Sequence, residues 1–295
     1  MMLLFEATRK AIVETKISLL VVRQIKLNRN PYAKGEKPIF ELSKDKVVIV
    51  TGSNGGIGSA TATLFCQRGY KVVGLDLYTM ERARENHTLE GEHPALKSGL
   101  YTHLVADLLD LDSVIEGFAL AAELGNISHV VSVAGMAITE ELGVGDIVQI
   151  SRRAISESIA VNLTAQLYLA QIALPYLRLA PEATLAFTSS INAIAGISPH
   201  PYAVAKAGVV SLARTLALEE GKNGIRVNVV LPGSAPTPRT TYEGIIDLRP
   251  LEEMKTLTAT RKSTTVEDIA NTLVALALDL KTLTGQSIIK SCISW

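Results

Sequence analysis

Short runs of β-branched and aliphatic residues recur along the chain, separated by longer stretches whose apolar positions repeat at helical spacing. The runs near 47–51, 71–76, 102–106, 129–134, 183–189, 226–231 and 286–290 are nearly continuous in apolar residues, as in strands buried on both faces. The stretches near 57–69, 111–122, 150–178, 201–221 and 266–279 read as helices. Their alternation predicts a parallel sheet with helices on both faces, right-handed crossovers and a ligand crevice at the carboxyl ends of the strands. Residues 1–44 stand outside this alternation. Between Ala11 and Ile25 the apolar positions are interrupted by Glu14, Lys16 and Arg23, too often for a membrane-spanning helix. The expectation is an amphipathic helix packing on its own domain or on a second subunit, with a basic membrane-surface helix or a disordered tail as alternatives. Asn28 to Gly35 reads as the linker to a single domain over 45–295.

The first strand, Lys46-Val47-Val48-Ile49-Val50, runs straight into Thr51-Gly52-Ser53-Asn54-Gly55-Gly56-Ile57-Gly58, and a helical stretch follows from Ser59 to Arg68. Glycines let a backbone approach a pyrophosphate, and a helix N-terminus offers N–H groups and partial positive charge. The spacing is Gly-x-x-x-Gly-x-Gly rather than Gly-x-Gly-x-x-Gly. Strand, turn and helix together predict a dinucleotide site in a Rossmann-like, doubly wound α/β fold. The second strand, Lys71 to Asp76, ends in an acid 18 residues after Gly58. A carboxylate there accepts from the adenosine ribose hydroxyls and repels a 2′-phosphate. No Lys or Arg lies within 52–58, so NAD is the expected cofactor rather than NADP.

Tyr202 and Lys206 lie four residues apart in a helical stretch, which places both side chains on one face. A phenol of pKa about 10 is a poor acid or base at neutral pH, and a nearby ammonium favours its phenolate. The pair is a candidate acid/base unit.

Taken together, these residues resemble the short-chain dehydrogenase/reductase family over about residues 45–290. Thr51-Gly52-x-x-x-Gly56-x-Gly58 matches the family's cofactor motif. Asp107, after His103-Leu104-Val105-Ala106, matches the acid that holds the adenine ring. Asn162 in Val161-Asn162-Leu163 matches the catalytic-helix asparagine, and Ser190 in Phe187-Thr188-Ser189-Ser190 the catalytic serine. Tyr202 and Lys206 match Tyr-x-x-x-Lys. Pro232-Gly233 matches the loop beside the nicotinamide, with Thr237 where a carboxamide contact is usual. The resemblance implies Asn162, Ser190, Tyr202 and Lys206 as catalytic residues. It implies cofactor contacts from Gly52, Ser53, Asn54, Gly56, Ile57 and Gly58, then from Asp76, Asp107 and Leu108. Further contacts would come from Ala134, Gly135, Tyr202, Lys206, Pro232, Gly233 and Thr237.

By the same resemblance, hydride passes between nicotinamide and a secondary alcohol or ketone. Tyr202 carries the proton, Lys206 holds the nicotinamide ribose and lowers the tyrosine pKa, and Ser190 fixes the substrate oxygen. Asn162 anchors a water that links Lys206 to solvent. A homodimer or homotetramer is implied, built on helices 150–178 and 201–221. There Leu163, Leu167, Leu169, Val209, Leu212 and Leu216 exceed what the sheet face needs. A non-catalytic dinucleotide-binding regulator or scaffold of the same fold is the alternative.

Three features depart from the family pattern. Ser132-Val133-Ala134-Gly135 stands where Asn-Asn-Ala-Gly is usual, so hydrogen bonds that steady the sheet centre must come from elsewhere. Ser190 precedes Tyr202 by 12 residues, whereas the commoner spacing of 13 belongs to Ser189, and the choice between them stays open. The usual C-terminal Asp-Gly-Gly is absent, and after Gln286 the chain runs from Ser287 to Trp295.

Composition adds limits. The chain has 295 residues, 47% hydrophobic and 20% charged, which suits a globular domain with a substantial core. The net charge of zero gives no pull toward nucleic acid or anionic membrane. Cys66 and Cys292 form no disulfide framework, and the five histidines show no ligand spacing, so no metal is expected and a reducing, cytoplasmic setting is. The segment between Pro232 and Val266, with Tyr242, Ile245, Ile246, Leu248 and Leu251, reads as an apolar lid over a small-molecule pocket.

Overall fold

The structure is a computed structural model that describes residues 45–137, 146–195, 200–238, 262 and 264–291. The expected N-terminal helix and linker, positions 239–261 and 263 of the expected lid between Pro232 and Val266, and the tail from Cys292 lie outside these residues.

Seven parallel strands form one sheet in the order β3-β2-β1-β4-β5-β6-β7. They are β1 (Lys46–Thr51), β2 (Lys71–Asp76), β3 (Tyr101–Val105), β4 (Asn126–Ser132), β5 (Ala183–Thr188), β6 (Ile225–Pro232) and β7 (Ser287–Lys290). Every expected strand is present. The helices, besides the single turn Asn192–Ala195, are α1 (Gly56–Gln67), α2 (Met80–Glu85), α3 (Leu111–Leu124), α4 (Arg152–Ile159), α5 (Ala165–Leu177), α6 (His200–Glu220) and α7 (Val266–Leu278). The strand order reverses between β1 and β4, which opens a crevice at their carboxyl ends.

Residues alternate sides along each strand, so an apolar run buries against both layers. Val47 and Ile49 join Phe118, Leu169, Leu177, Val209 and Leu216 on the side of α3, α5 and α6. Val48 and Val50 join Phe65, Ile269 and Leu273 on the side of α1 and α7. Each such side chain, fully buried, contributes about 1.5–3 kcal/mol. The connection from β2 to β3 holds elements the apolar pattern did not predict. These are α2 and a 3₁₀ turn at Pro94–Ser98.

The single helix expected over 150–178 is broken. Between α4 and α5 the backbone widens into a π turn at Ala160–Thr164, centred on the buried Asn162. Apolar spacing continues through the break, so periodicity did not reveal it. The apolar excess expected on these helices is also largely consumed internally. Leu169, Val209 and Leu216 are buried in the core, and Leu163 and Leu212 pack partly buried against it. Leu167 stays exposed on α5, as do Val204 and Leu218 on α6.

Candidate active site

The glycine-rich turn connects β1 to α1. Gly52 has φ +65°, and its N–H donates to the Leu75 carbonyl at 2.8 Å. A Cβ on Gly52 would lie 2.8 Å from the Ala134 nitrogen, and one on Gly58 only 2.0 Å from the Gly52 oxygen. Close approach of the turn to the β4 end and to its own helix therefore requires glycine at both places. Helix α1 starts with no side-chain cap and no acid in its first turn, so its leading N–H groups face the crevice electropositively. Ile57 sits in that first turn.

At the far end of the turn, Asp76 closes β2. Its carboxylate accepts from the Asn54 N–H at 2.9 Å and from the Tyr78 N–H at 3.3 Å. Burial pushes its pKa up, and these N–H groups and the nearby His103 oppose that rise. The Asn54 amide donates to the Tyr78 carbonyl at 2.9 Å, and His103 Nε2 donates to the same oxygen at 3.1 Å. Asp107 and the buried Leu108 follow β3 beside this corner, where the Asp107 carboxylate caps the Leu109 N–H at 2.9 Å.

The other end of the crevice gathers the remaining residues. Lys206 is 2% exposed and donates to the Thr188 carbonyl at 3.1 Å, with its ammonium 5.6 Å from the Tyr202 ring centre. Burial lowers the Lys206 pKa to about 8. Asn162 clamps Met136 from both sides: its amide donates to the Met136 carbonyl at 2.7 Å, and its oxygen accepts from the Met136 N–H at 2.9 Å. The same amide donates to the Ser158 carbonyl at 3.0 Å, inside the helix break. A side chain substituting for backbone in this way is one recognised cause of a helix discontinuity. Gly135, at φ +154°, lets Lys206 and Asn162 approach. Its Cβ would sit 2.7 Å from Lys206 Nζ and 2.9 Å from Asn162 Oδ1.

The two serines differ. Ser189 donates its hydroxyl to the Lys206 main-chain carbonyl at 2.7 Å, whereas the Ser190 oxygen accepts from the Asn192 N–H at 3.2 Å. Pro232 and Gly233 are held between the ends of the neighbouring strands, since the Pro232 carbonyl accepts from the Ile191 N–H just after β5 and the Gly233 N–H donates to the Lys290 carbonyl of β7. Thr237 folds back over the turn, where a Cβ on Gly56 would lie 3.2 Å from it.

The hydrogen bonds missing through Ser132-Val133 come from Gln166, one turn beyond Asn162. Ser132 donates to the Gln166 oxygen, and Gln166 donates to the Ala134 carbonyl at 3.1 Å. Thr51 completes the bridge, 3.3 Å from the Ser132 hydroxyl and accepting from the Ala134 N–H at 3.3 Å. β1, β4 and α5 are thus joined through Thr51, Ser132 and the Gln166 amide.

The chain matches, over residues 52–291, the family model described as Enoyl-(Acyl carrier protein) reductase. It is 33% identical over 252 residues to an uncharacterized short-chain type dehydrogenase/reductase of Sinorhizobium fredii, covering 81% of this chain and 92% of that one. The chain belongs to the short-chain dehydrogenase/reductase family. An L-rhamnose 1-dehydrogenase (NAD(P)(+)) of Azotobacter vinelandii is 30% identical over 250 residues, covering 83% of this chain and 94% of that protein. The aldohexose dehydrogenase of Thermoplasma acidophilum superposes with a TM-score of 0.70 at 25% identity, over 84% of this chain and 94% of that one. As a short-chain dehydrogenase/reductase the protein is an oxidoreductase that uses a nicotinamide dinucleotide, NAD or NADP, on a small-molecule substrate.

The crevice fits such a cofactor. Asn54 Oδ1 and Thr188 Oγ1 are buried without hydrogen-bond partners among the described residues. The uncapped start of α1 lies between its two ends. Among the described residues no group of His, Cys, Asp and Glu is arranged to hold a metal, and no helix is long and apolar enough to cross a membrane. Sequence motifs had not singled out Gln166, Thr188, His93 or His103. A polar residue four positions after Asn162, on the same helix face, was the available signal for Gln166.

Proposed function

We propose that this chain interconverts secondary alcohols and ketones with NAD(H), using Tyr202 as the proton carrier. The observation that carries the proposal is Lys206, buried with its ammonium 5.6 Å from the Tyr202 ring centre and its helix face shared with that phenol. A nearby ammonium favours the phenolate of a phenol, and this is the role the proposal gives Lys206 toward Tyr202. Ser190, whose oxygen already accepts from Asn192, keeps its proton for a substrate oxygen. Asn162 and Gly135 fix the floor beneath Lys206. The dinucleotide, when bound, supplies or accepts the hydride.

The preference for NAD is supported by Asp76, which is held at the turn by the Asn54 N–H and would face the ribose hydroxyls. The cofactor contacts proposed are Gly52, Ser53, Asn54, Gly56, Ile57, Gly58, Asp76, Asp107, Leu108, Ala134, Gly135, Tyr202, Lys206, Pro232, Gly233 and Thr237. Assembly into a homodimer or homotetramer through α5 and α6 is part of the proposal, supported by the exposed Leu167, Val204 and Leu218. The test is a panel of secondary alcohols, cyclic ketones, sugars and 3-oxoacyl compounds with NAD(H) and NADP(H), followed at the nicotinamide absorbance. Turnover with NAD(H) on at least one alcohol or ketone is expected. Turnover only with NADP(H), or with none of the panel, contradicts it.

A further inference from the structure

We infer that His93 is a positioning residue for the dinucleotide, orienting the Ser53–Asn54 peptide of the phosphate turn from the connection between β2 and β3. The inference rests on the proposal that this turn binds the cofactor. His93 is fully buried, immediately before the 3₁₀ turn that packs on α1. Its Nδ1 accepts from the Ala95 N–H at 3.2 Å, which leaves the ring proton on Nε2. Nε2 donates that proton to the Ser53 carbonyl at 2.9 Å.

The consequence lies in the peptide unit that begins at this carbonyl. Its other end is the Asn54 N–H, which donates to Asp76 at 2.9 Å. His93 and Asp76 therefore grip one peptide plane from opposite sides. The carbonyl is drawn toward His93, and the N–H is drawn toward the acid proposed to read the ribose. Freed from His93, this peptide could rotate, disturbing both the turn and the Asp76 carboxylate. A carbonyl oxygen turned toward the crevice would oppose an anionic pyrophosphate.

The ring itself is held for this task. It stacks on Tyr101 with centres 4.1 Å apart and planes at 14°. The Tyr101 hydroxyl reaches under the turn through space kept open by Gly74, where a Cβ would lie 2.2 Å from that hydroxyl and 2.6 Å from Ser53 Oγ. Burial lowers the His93 pKa, which keeps the imidazole neutral and Nδ1 able to accept.

The test uses the full chain and three variants. His93→Phe keeps the stack on Tyr101 and removes both hydrogen bonds. His93→Gln keeps a donor with the reach of Nε2, and His93→Asn keeps only a shorter amide. NADH affinity is read by fluorescence titration, folding by melting without cofactor, and kcat and KM for NAD with the best substrate of the panel. His93→Phe and His93→Asn are expected to weaken NADH binding about tenfold. The loss should appear in KM for NAD rather than in kcat at saturation, and His93→Gln should recover most of the affinity. If His93→Phe does not fold, the contrast between Asn and Gln decides. Wild-type affinity in a folded Phe or Asn variant, or equal weakening in Asn and Gln, overturns the inference alone. A wild-type chain that binds neither NADH nor NADPH overturns the cofactor proposal and the inference with it.

Discussion

Ser189 donates its hydroxyl to the main-chain carbonyl of Lys206 at 2.7 Å, so the residue before the proposed catalytic serine is bonded to the helix that carries the proposed acid/base pair. The hydroxyl proton of Ser189 is committed inside the fold, and that of Ser190 is available to a substrate. Ser189→Ala should lower stability by about 0.5–1.5 kcal/mol, the net worth of an ordinary hydrogen bond. Ser190→Ala loses the bond from the Asn192 N–H and should cost a similar or smaller amount of stability, but should cut turnover by about 10²-fold or more, as for removal of a donor from a reacting oxygen. Melting curves and steady-state rates on both variants check this. The reverse pattern would assign the catalytic role to Ser189.

Lys206 should oppose stability while serving activity. Its pKa in the fold is about 8, against about 10.4 in an unfolded chain. Between those values the unfolded chain holds more protons than the folded one, so wild-type stability should rise with pH across that window. Below pH 8 the whole penalty of a buried ammonium is present. Lys206→Met should therefore melt higher than wild type at pH 7, with the gap closing by about pH 10.4. Turnover should be lost at every pH. Calorimetry at pH 7 and above pH 10 tests the sign.

Gln166→Leu should destabilise the sheet centre. It removes the acceptor of Ser132 and the donor to the Ala134 carbonyl, both in the buried bridge between β4 and α5. Leaving such groups unpaired costs about 1–3 kcal/mol each, so the urea midpoint should fall clearly. Gln166→Glu keeps the acceptor for Ser132 and should fall less at low pH, where its carboxyl is protonated and can donate to Ala134.

Asp76→Ala should narrow the difference in affinity between NADH and NADPH. The carboxylate that accepts from Asn54 and Tyr78 would be gone, and with it the negative charge beside the 2′ position. Fluorescence titration with both cofactors measures the change. Wild type that already binds NADPH more tightly would remove Asp76 from its proposed role.

The sheet could be read from the sequence because a strand buried on both faces leaves a nearly continuous apolar run, as in Val47 to Val50. The glycine turn and the Tyr202–Lys206 spacing could be read because each rests on local backbone geometry. The break at Ala160–Thr164 could not. It depends on Asn162 meeting Met136 and Ser158, and Met136 follows a different strand. Gln166 was hidden for the same reason, since its partners Ser132 and Ala134 lie more than thirty residues away in sequence. His93 offered no metal-like spacing, and its place under the turn depends on stacking against Tyr101. Leu169, Val209 and Leu216, expected at an interface, lie in the core because helical periodicity does not say which apolar stripe the sheet will take.

The most direct test of the proposed chemistry is Tyr202→Phe, assayed with the best substrate of the panel alongside NADH titration. Phenylalanine fills the place of the ring near Lys206 and removes only the oxygen that would carry the proton. Turnover should fall by at least about 10²-fold, the usual worth of a positioned acid/base, with NADH affinity nearly unchanged. In wild type the oxidation rate should rise with pH, because the accepting form of the Tyr202–Lys206 pair increases as it loses a proton. That rise should lie below the free phenol value of about 10. A Tyr202→Phe variant that retains near wild-type turnover would contradict the assignment of Tyr202 as the proton carrier.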